Sequence, residues 1–323
     1  MDPAIVDLQK LLDSEEELQK LKSLLSSWGA IQLVNHGIKN STLDQLLHVT
    51  KEFFHLPLEE KQKYARSRIE EWKFDQMQGW GNDRMSEGQP FSWNDRLLLL
   101  AHPIGLRKSN LWPDESIPKF SEIVDDYVDG LIRIRDIMFK SISRMLNLSD
   151  DNLICKYADE GFIVSKFTYY PTSPYPDRIL GAGAHTDTTM FSVILQDKEV
   201  EALQIEKDGQ WYLVPIVPHA LVLNISDMLE IMTNGGVKSA CHRVVTNAER
   251  ERISVVAAFS PPANAKIGPL KELIDEKNPK LYPILKNSSQ VSADYFAHGK
   301  IFIKEIRKYG PEIMHQDMKQ SNN

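Results

Sequence analysis

His185 and Asp187 stand two residues apart, and His242 follows Asp187 at a separation of 55 residues. On a strand, residues i and i+2 point to the same face, so the first pair can present an imidazole and a carboxylate side by side. The intervening stretch holds four or five short strands with turns, enough to wind once around a barrel and return beside the pair. Two histidines and one carboxylate on one face of a metal form the triad by which non-haem iron oxygenases bind Fe(II), leaving three positions open. A His-x-Asp alone recurs by chance in many chains as a hydrogen-bonded surface pair. A second constellation changes the weight: Arg252 and Ser254, again at i and i+2, lie ten residues past His242. A guanidinium fork beside a hydroxyl matches a carboxylate in two-point fashion. Arg252 is followed by Val255, Val256, Ala257, Ala258 and Phe259, surroundings in which an unpaired charge is costly. Its partner is therefore either an anionic ligand or a nearby glutamate such as Glu249 or Glu251.

These residues need a scaffold that brings distant strands together. The first third reads as helices with short strands between them. Ser14 with Glu17 three residues later forms a capping box ahead of Leu18, Leu21, Leu24, Leu25 and Trp28 at helical spacing. Residues 30–35 read as a strand, and Ser41 with Asp44 opens a second helix. Pro57 restarts the chain for a short helix over 58–64. From 66 to 91 the pattern dissolves into glycines, charges and aromatics, a long loop. Residues 118–148 form one amphipathic helix with Ile123, Tyr127, Leu131, Ile134, Met138, Ile142 and Met145 on one face. After Gly161, short segments rich in Val, Ile, Phe and Tyr alternate with turn residues. The spacing predicts strands over 162–170, 190–195, 211–214, 220–225, 242–246 and 253–260, with 181–184 turn-like and helix returning over 292–309. About eight short strands without long helices between them favour a jelly roll over a parallel sheet.

Composition narrows the function classes. In 323 residues, 42% are apolar and 26% charged, and the net charge is −7. Those values exclude disordered, collagen-like and coiled-coil chains. No run of Lys and Arg recruits nucleic acid or an anionic membrane. No apolar run reaches the ~20 residues needed to span a bilayer. Two cysteines, Cys155 and Cys241, read as ordinary buried thiols. The start lacks the features of a secretory signal. The expectation is a monomer of the cytoplasm, with the nucleus second.

The motifs, in order and properly spaced, are Trp28-Gly29, Asn35-His36-Gly37, Phe53-Phe54, Tyr169-Tyr170-Pro171, Gly183-Ala184-His185-Thr186-Asp187, Leu203-Gln204, Asp208-Gly209-Gln210-Trp211, Asn234-Gly235-Gly236, Lys238-Ser239, His242-Arg243-Val244 and Arg252-Ile253-Ser254. Together they resemble the plant 2-oxoglutarate/Fe(II)-dependent dioxygenases, which include flavonol and anthocyanidin synthases, hyoscyamine hydroxylase and codeine demethylase. The resemblance implies Fe(II) ligation by His185, Asp187 and His242. It also implies that Arg252 and Ser254, helped by the Tyr170 hydroxyl, hold the distal carboxylate of 2-oxoglutarate. O2 and, as reductant, ascorbate complete the cofactor set. Phe259 occupies a position that often borders substrate in relatives, with core packing as the alternative. Thr168, Thr172, Ser173, Ala202, His219 and Ser226 depart from the family pattern, at turns and pocket walls rather than at ligands.

The implied fold is mainly β with a helical jacket: a double-stranded β-helix (jelly roll, cupin-like), an N-terminal α/β region and a C-terminal helix. Residues 1–160 would pack as a helix-rich region on a core of residues 161–323, as one unit. Substrate walls would come from loop 66–91, residues 97–100, segment 219–232 and the C-terminal helix. Lacking an Arg/Lys cluster in sequence, these walls favour a small, largely apolar or aromatic specialised metabolite that is hydroxylated, demethylated or desaturated. Hormone catabolism is the second expectation. A non-catalytic jelly roll binding a metal or carboxylate is a third, and a zinc hydrolase, for which no general base is at hand, a fourth.

Overall fold

The computed structural model describes residues 4–66, 78–81, 92–149, 152–286 and 301–310. Most of loop 66–91 and residues 292–300 of the expected C-terminal helix lie outside the described residues. In chain order the elements begin with β1 (Ile5–Asp7), α1 (Glu15–Ser27), β2 (Ala30–Val34), α2 (Asn40–His55) and α3 (Leu58–Gln62). There follow β3 (Gly79–Trp80), β4 (Asp95–His102), α4 (Phe120–Met145) and α5 (Leu153–Glu160). Next come β5 (Phe162–Tyr170), β6 (Leu180–His185), β7 (Phe191–Leu195), β8 (Leu203–Lys207), β9 (Gln210–Leu213) and β10 (Leu221–Ile225). The last are α6 (Asp227–Met232), β11 (His242–Val245), β12 (Arg252–Ser260) and α7 (Phe302–Tyr309).

Local chemistry accounts for the helix ends. Ser14 caps α1, its hydroxyl accepting from the Glu17 amide at 3.2 Å. The reciprocal half of the expected box is spent elsewhere, because the Glu17 carboxylate accepts from the Asp7 amide and so ties α1 to β1. After α1 the chain turns at Gly29, φ +68°, where a β-carbon would stand 2.1 Å from the Lys238 carbonyl oxygen. Only glycine permits that approach of two backbones. The second helix starts at Asn40 rather than at Ser41 and carries no side-chain cap.

The strands pair into an eight-stranded sheet, β1-β2-β10-β7-β12-β5-β4-β3, and a four-stranded sheet, β6-β11-β8-β9. This is the expected jelly roll with helices added. One expectation is corrected. Residues 181–184, read as turn-like, lie in strand β6, and Gly181 answers to close packing. A β-carbon on Gly181 would sit 2.7 Å from the Tyr170 ring.

The pleat divides the large sheet into two faces with separate cores. Leu97, Phe167, Val255, Phe191, Phe259, Val193 and Leu223 point outward into a large apolar cluster shared with the helices. Helix α4 lies against this face: Phe120 meets Phe167 at 5.2 Å between ring centroids, and Phe139 meets Phe191 at 5.0 Å. The inward face carries Val222, Ile194 and Tyr170, which pack with Leu203, Ile205 and Val244 of the small sheet. The two sheets face each other across this inner core. Its edge is closed where the Trp93 amide donates to the Leu180 carbonyl at 2.9 Å and the Asn94 amide group to that of Gly181 at 2.6 Å.

Phe191, fully buried between α4 and β12, is the keystone of the outer core. Phe191→Ala should destabilise the protein by ~3–5 kcal/mol in urea unfolding, the usual cost of emptying a packed aromatic site. An unchanged midpoint would place the junction of helices and sheet elsewhere.

Candidate metal centre

His185 ends β6 and His242 begins β11, and the two residues are direct partners in the antiparallel ladder. Asp187 follows at the start of the turn into β7. His185 Nε2 lies 3.7 Å and His242 Nε2 4.0 Å from Asp187 Oδ1, and the three donor atoms lie within 4.8 Å of one another. A single ion with bonds of ~2.0–2.2 Å can bridge the first two spacings. The remaining atoms of each side chain are already engaged. His185 Nδ1 faces the Gly183 carbonyl at 2.8 Å and His242 Nδ1 that of Ala240 at 3.0 Å. A carbonyl only accepts, so each ring carries its proton on Nδ1, and the neutral ring turns a lone pair on Nε2 toward the centre. Asp187 Oδ2 accepts from the Ser192 hydroxyl at 2.6 Å, which leaves Oδ1 for the centre.

The electrostatics suit a cation. Burial, followed by the nearby His242, pushes His185 down to about 3, so the ring is neutral at neutral pH. For Asp187, burial alone would raise the carboxyl. His242, His185, Lys166 and the Ser192 hydroxyl outweigh it and hold the group at about 2, as a carboxylate.

Behind the centre, α6 supplies two fully buried carboxylates that fix the loops carrying the donors. Asp227 accepts from Thr186 Oγ1 at 3.0 Å and from Ser239 Oγ at 2.6 Å, while its amide donates to the Asp187 carbonyl at 2.9 Å. Glu230 accepts from the Ser239 amide and, at 2.6 Å, from the Tyr282 hydroxyl. It also receives two bonds from Arg307 of α7, 2.7 Å from Nε and 2.5 Å from Nη2. Both segments that carry donors are thereby fastened to one short helix.

Arg252, 2% exposed, opens β12 on the inward face opposite Tyr170, whose ring its guanidinium faces at 4.9 Å. Ser254 follows on the same face opposite Thr168. The glutamate alternative for Arg252 does not hold. Glu251 pairs instead with Lys51 at 2.6 Å and His55 at 3.0 Å and accepts from the Tyr169 hydroxyl. Arg252 Nε and Nη1 are buried with no hydrogen-bond partner among the described residues, and Thr168 Oγ1 beside them is likewise unpaired. A buried guanidinium with two open donors fits a carboxylate that is part of the working protein. The donor set at the centre and this fork therefore both fit the groups that the sequence motifs imply.

Tyr170 joins this group, and Phe259 does not. Strand parity sends Phe259 to the helix side, where it is 3% exposed and its ring lies 4.4 Å from that of Phe191. The residue of β12 that points to the inward face at this level is Ala258, opposite Ser192 and Val164. Residues 97–100 split in the same way, Leu98 and Leu100 inward, Leu97 and Leu99 outward. Sequence reasoning missed Ser192, the α6 carboxylates and two inward cations, Lys166 and Arg96. Lys166 was findable, standing at i−2 and i−4 from Thr168 and Tyr170; Arg96 enters only through the β4–β5 register.

The chain is similar to known proteins over most of its length. Residues 150–261 match the model of the 2OG-Fe(II) oxygenase superfamily, and residues 4–115 that of the non-haem dioxygenase in morphine synthesis N-terminal region. The chain is 32% identical to codeine O-demethylase of Papaver somniferum over 315 residues, covering 94% of this chain and 84% of that protein. It is 32% identical to flavonol synthase/flavanone 3-hydroxylase of Petunia hybrida over 290 residues, 89% of this chain and 81% of that one. Among solved structures, JOX2 in complex with 2OG, Fe and JA superposes with a TM-score of 0.82 at 29% identity, covering 98% of this chain and 88% of that one.

Because Ser192 holds Asp187 in place, Ser192→Ala should weaken divalent metal binding by ~10–100-fold, the usual effect of losing a group that orients a ligand. Calorimetric titration of the metal-free protein with Mn(II) measures it; wild-type affinity in the variant would show that Asp187 needs no such support.

Proposed function

Because the chain belongs to the 2OG-Fe(II) oxygenase superfamily, we propose that His185, Asp187 and His242 ligate its iron. Arg252 and Ser254, with the Tyr170 hydroxyl, hold the distal carboxylate of 2-oxoglutarate. The observation that carries this reading is the buried Arg252, whose Nε and Nη1 have no hydrogen-bond partner among the described residues, on the inward face of the large sheet. When bound, Fe(II) and 2-oxoglutarate supply an O2-dependent oxidation that releases succinate and CO2, with ascorbate as reductant.

The chain's own residues orient and exclude. The two Nδ1–H bonds fix the imidazoles, Ser192 fixes the carboxylate, and the Arg252 fork sets the direction in which the diacid enters. The inner cores of both sheets and the docked α4 keep bulk water from the reacting volume, which limits side reactions of the oxidant. The helical region 1–160 and the core 161–323 work as one unit in this reading, since residues of both share the outer apolar cluster.

The substrate is a small, largely apolar or aromatic plant specialised metabolite, oxidised by hydroxylation, demethylation or desaturation. The similarity to a codeine demethylase and a flavonol synthase supports that class. A hormone-catabolising role is the second reading, favoured by the likeness to JOX2 in its complex with JA. Among the described residues no helix is long and apolar enough to cross a membrane. A cytoplasmic monomer, also entering the nucleus, completes the proposal.

His185→Ala and Asp187→Ala should each abolish succinate formation from 2-oxoglutarate, assayed with Fe(II), ascorbate and a metabolite panel; full activity in either removes the triad. Arg252→Lys should raise the KM for 2-oxoglutarate roughly tenfold or more while leaving metal affinity near wild type, because an ammonium cannot reproduce the fork.

A further inference from the structure

Arg252 Nε and Nη1 donate to no described residue, so no hydrogen bond at those atoms holds the fork in place. Where it stands is set by the backbone on either side, and both chain neighbours of Arg252 are pinned. The Ile253 amide donates to Asp197 Oδ2 at 3.0 Å, while Asp197 Oδ1 accepts from the amides of Glu199 and Val200. On the other side, Glu251 Oε1 accepts from Lys51 Nζ at 2.6 Å. Its Oε2 accepts from His55 Nε2 at 3.0 Å and from the Tyr169 hydroxyl at 2.9 Å. Lys51 and His55 stand four residues apart on α2, so one face of that helix reaches both carboxylate oxygens.

Tyr169 brings the second strand into the same cluster. It precedes Tyr170, the ladder partner of Arg252, so the residue before each of these two inward side chains is tied to α2. The Phe54 ring stacks on Tyr169 at 5.7 Å, and the His55 ring meets it edge-on at 5.8 Å. Burial alone would raise the Glu251 carboxyl, but Lys51, His55 and Tyr169 outweigh it and hold the group at about 2. Burial and the Glu251 charge push the Tyr169 hydroxyl up to about 12, so it stays a donor. The cluster is therefore intact throughout the neutral range.

Ion pairs placed like these add little to folding, because Lys51 and His55 are about half exposed. Position is what the cluster fixes. The triad belongs to β6, β11 and the turn after β6, whereas Arg252 and Tyr170 belong to the large sheet. A diacid that spans from one to the other must match the separation, and α2 holds the far end. We propose that Lys51, His55, Tyr169 and Glu251 are positioning residues through which α2 sets the place of Arg252 and Tyr170. With it they set the chain length of the 2-oxo diacid that the site accepts. The inference rests on the iron and co-substrate sites proposed above.

The test compares wild-type protein with Glu251→Gln, Lys51→Met, Lys51→Arg and, as control, Arg252→Lys. Calorimetry on the Mn(II)-loaded proteins gives dissociation constants for 2-oxoglutarate and for 2-oxoadipate, one methylene longer. Wild-type protein should prefer 2-oxoglutarate. Glu251→Gln should weaken 2-oxoglutarate roughly tenfold, within the range that small misplacements cost, and 2-oxoadipate less, so that the preference narrows. Lys51→Met should move both constants in the same direction, and Lys51→Arg should stay near wild type. Affinity for Mn(II) itself should be unchanged in Glu251→Gln and in both Lys51 variants. Wild-type affinity for 2-oxoglutarate in Glu251→Gln and Lys51→Met overturns the proposal, as does a wild-type protein that binds both diacids equally. So does an equal loss for both diacids, or a matching fall in Mn(II) affinity, either of which marks general loosening. Should Glu251→Gln fail to fold, Lys51→Met decides alone, its side chain being half-exposed. If Arg252→Lys keeps wild-type affinity for 2-oxoglutarate, the co-substrate site is what fails, and this inference with it. If only Arg252→Lys loses affinity, the co-substrate site stands and the role of α2 falls.

Discussion

The antiparallel pairing of β6 with β11 sets His242 directly opposite His185, and much of the molecule is arranged to hold that pair. The rings lie 4.3 Å apart between centroids, a contact that two imidazolium ions would resist. Each ring instead gives its Nδ1 proton to a carbonyl two residues back in the chain, and burial holds His185 neutral. Two lone pairs and one carboxylate oxygen are left converging on one point. That arrangement has little use without a cation, which gives the metal reading its weight independently of any relative.

Holding the pair requires a rigid frame behind it, and α6 provides one at an energetic risk. Asp227 and Glu230 are fully buried, and an ionised carboxylate in such a place is costly unless its lone pairs are filled. Burial raises the Asp227 carboxyl well above its ordinary range, while hydrogen bonds from Ser239 and Thr186 work against that shift. Glu230 is filled by Tyr282, the Ser239 amide and the Arg307 fork. The C-terminal helix therefore does more than cover apolar surface: its arginine completes the polar frame on which the loops of His185, Asp187 and His242 rest.

What the sequence disclosed followed from period and composition. Strands rich in Val, Ile and Phe were legible within a residue or two, as β5 and β12 illustrate, because both their faces are buried and their apolar runs are unbroken. Helix α1 announced its start through Ser14. Triad and Arg252 fork stood out because i and i+2 spacing survives into three dimensions. What stayed hidden depends on register and on distant approach. Gly181 looked like a turn because its reason, the Tyr170 ring packed over it, lies on another strand. For Phe259 the motif leaves substrate contact and core packing both open, and its odd offset from Arg252 and Ser254 decides for the core by turning it to the helix side. Arg96 and Lys166 belong to one wall only once β4 is laid beside β5. Asp227 and Glu230 carry no signal in sequence, because their partners, Thr186 and Ser239 for one and Tyr282 and Arg307 for the other, come from distant segments.

The central claim is that one site between the two sheets holds a metal on three named donors and a dicarboxylate on Arg252. A crystal structure of the protein grown anaerobically with Mn(II) and 2-oxoglutarate tests it most directly. The account predicts metal bonds to His185 Nε2, His242 Nε2 and Asp187 Oδ1, with the distal carboxylate on Arg252 Nε and Nη1. A metal seated on other donors, or a diacid that leaves those two nitrogens unpaired, would contradict it.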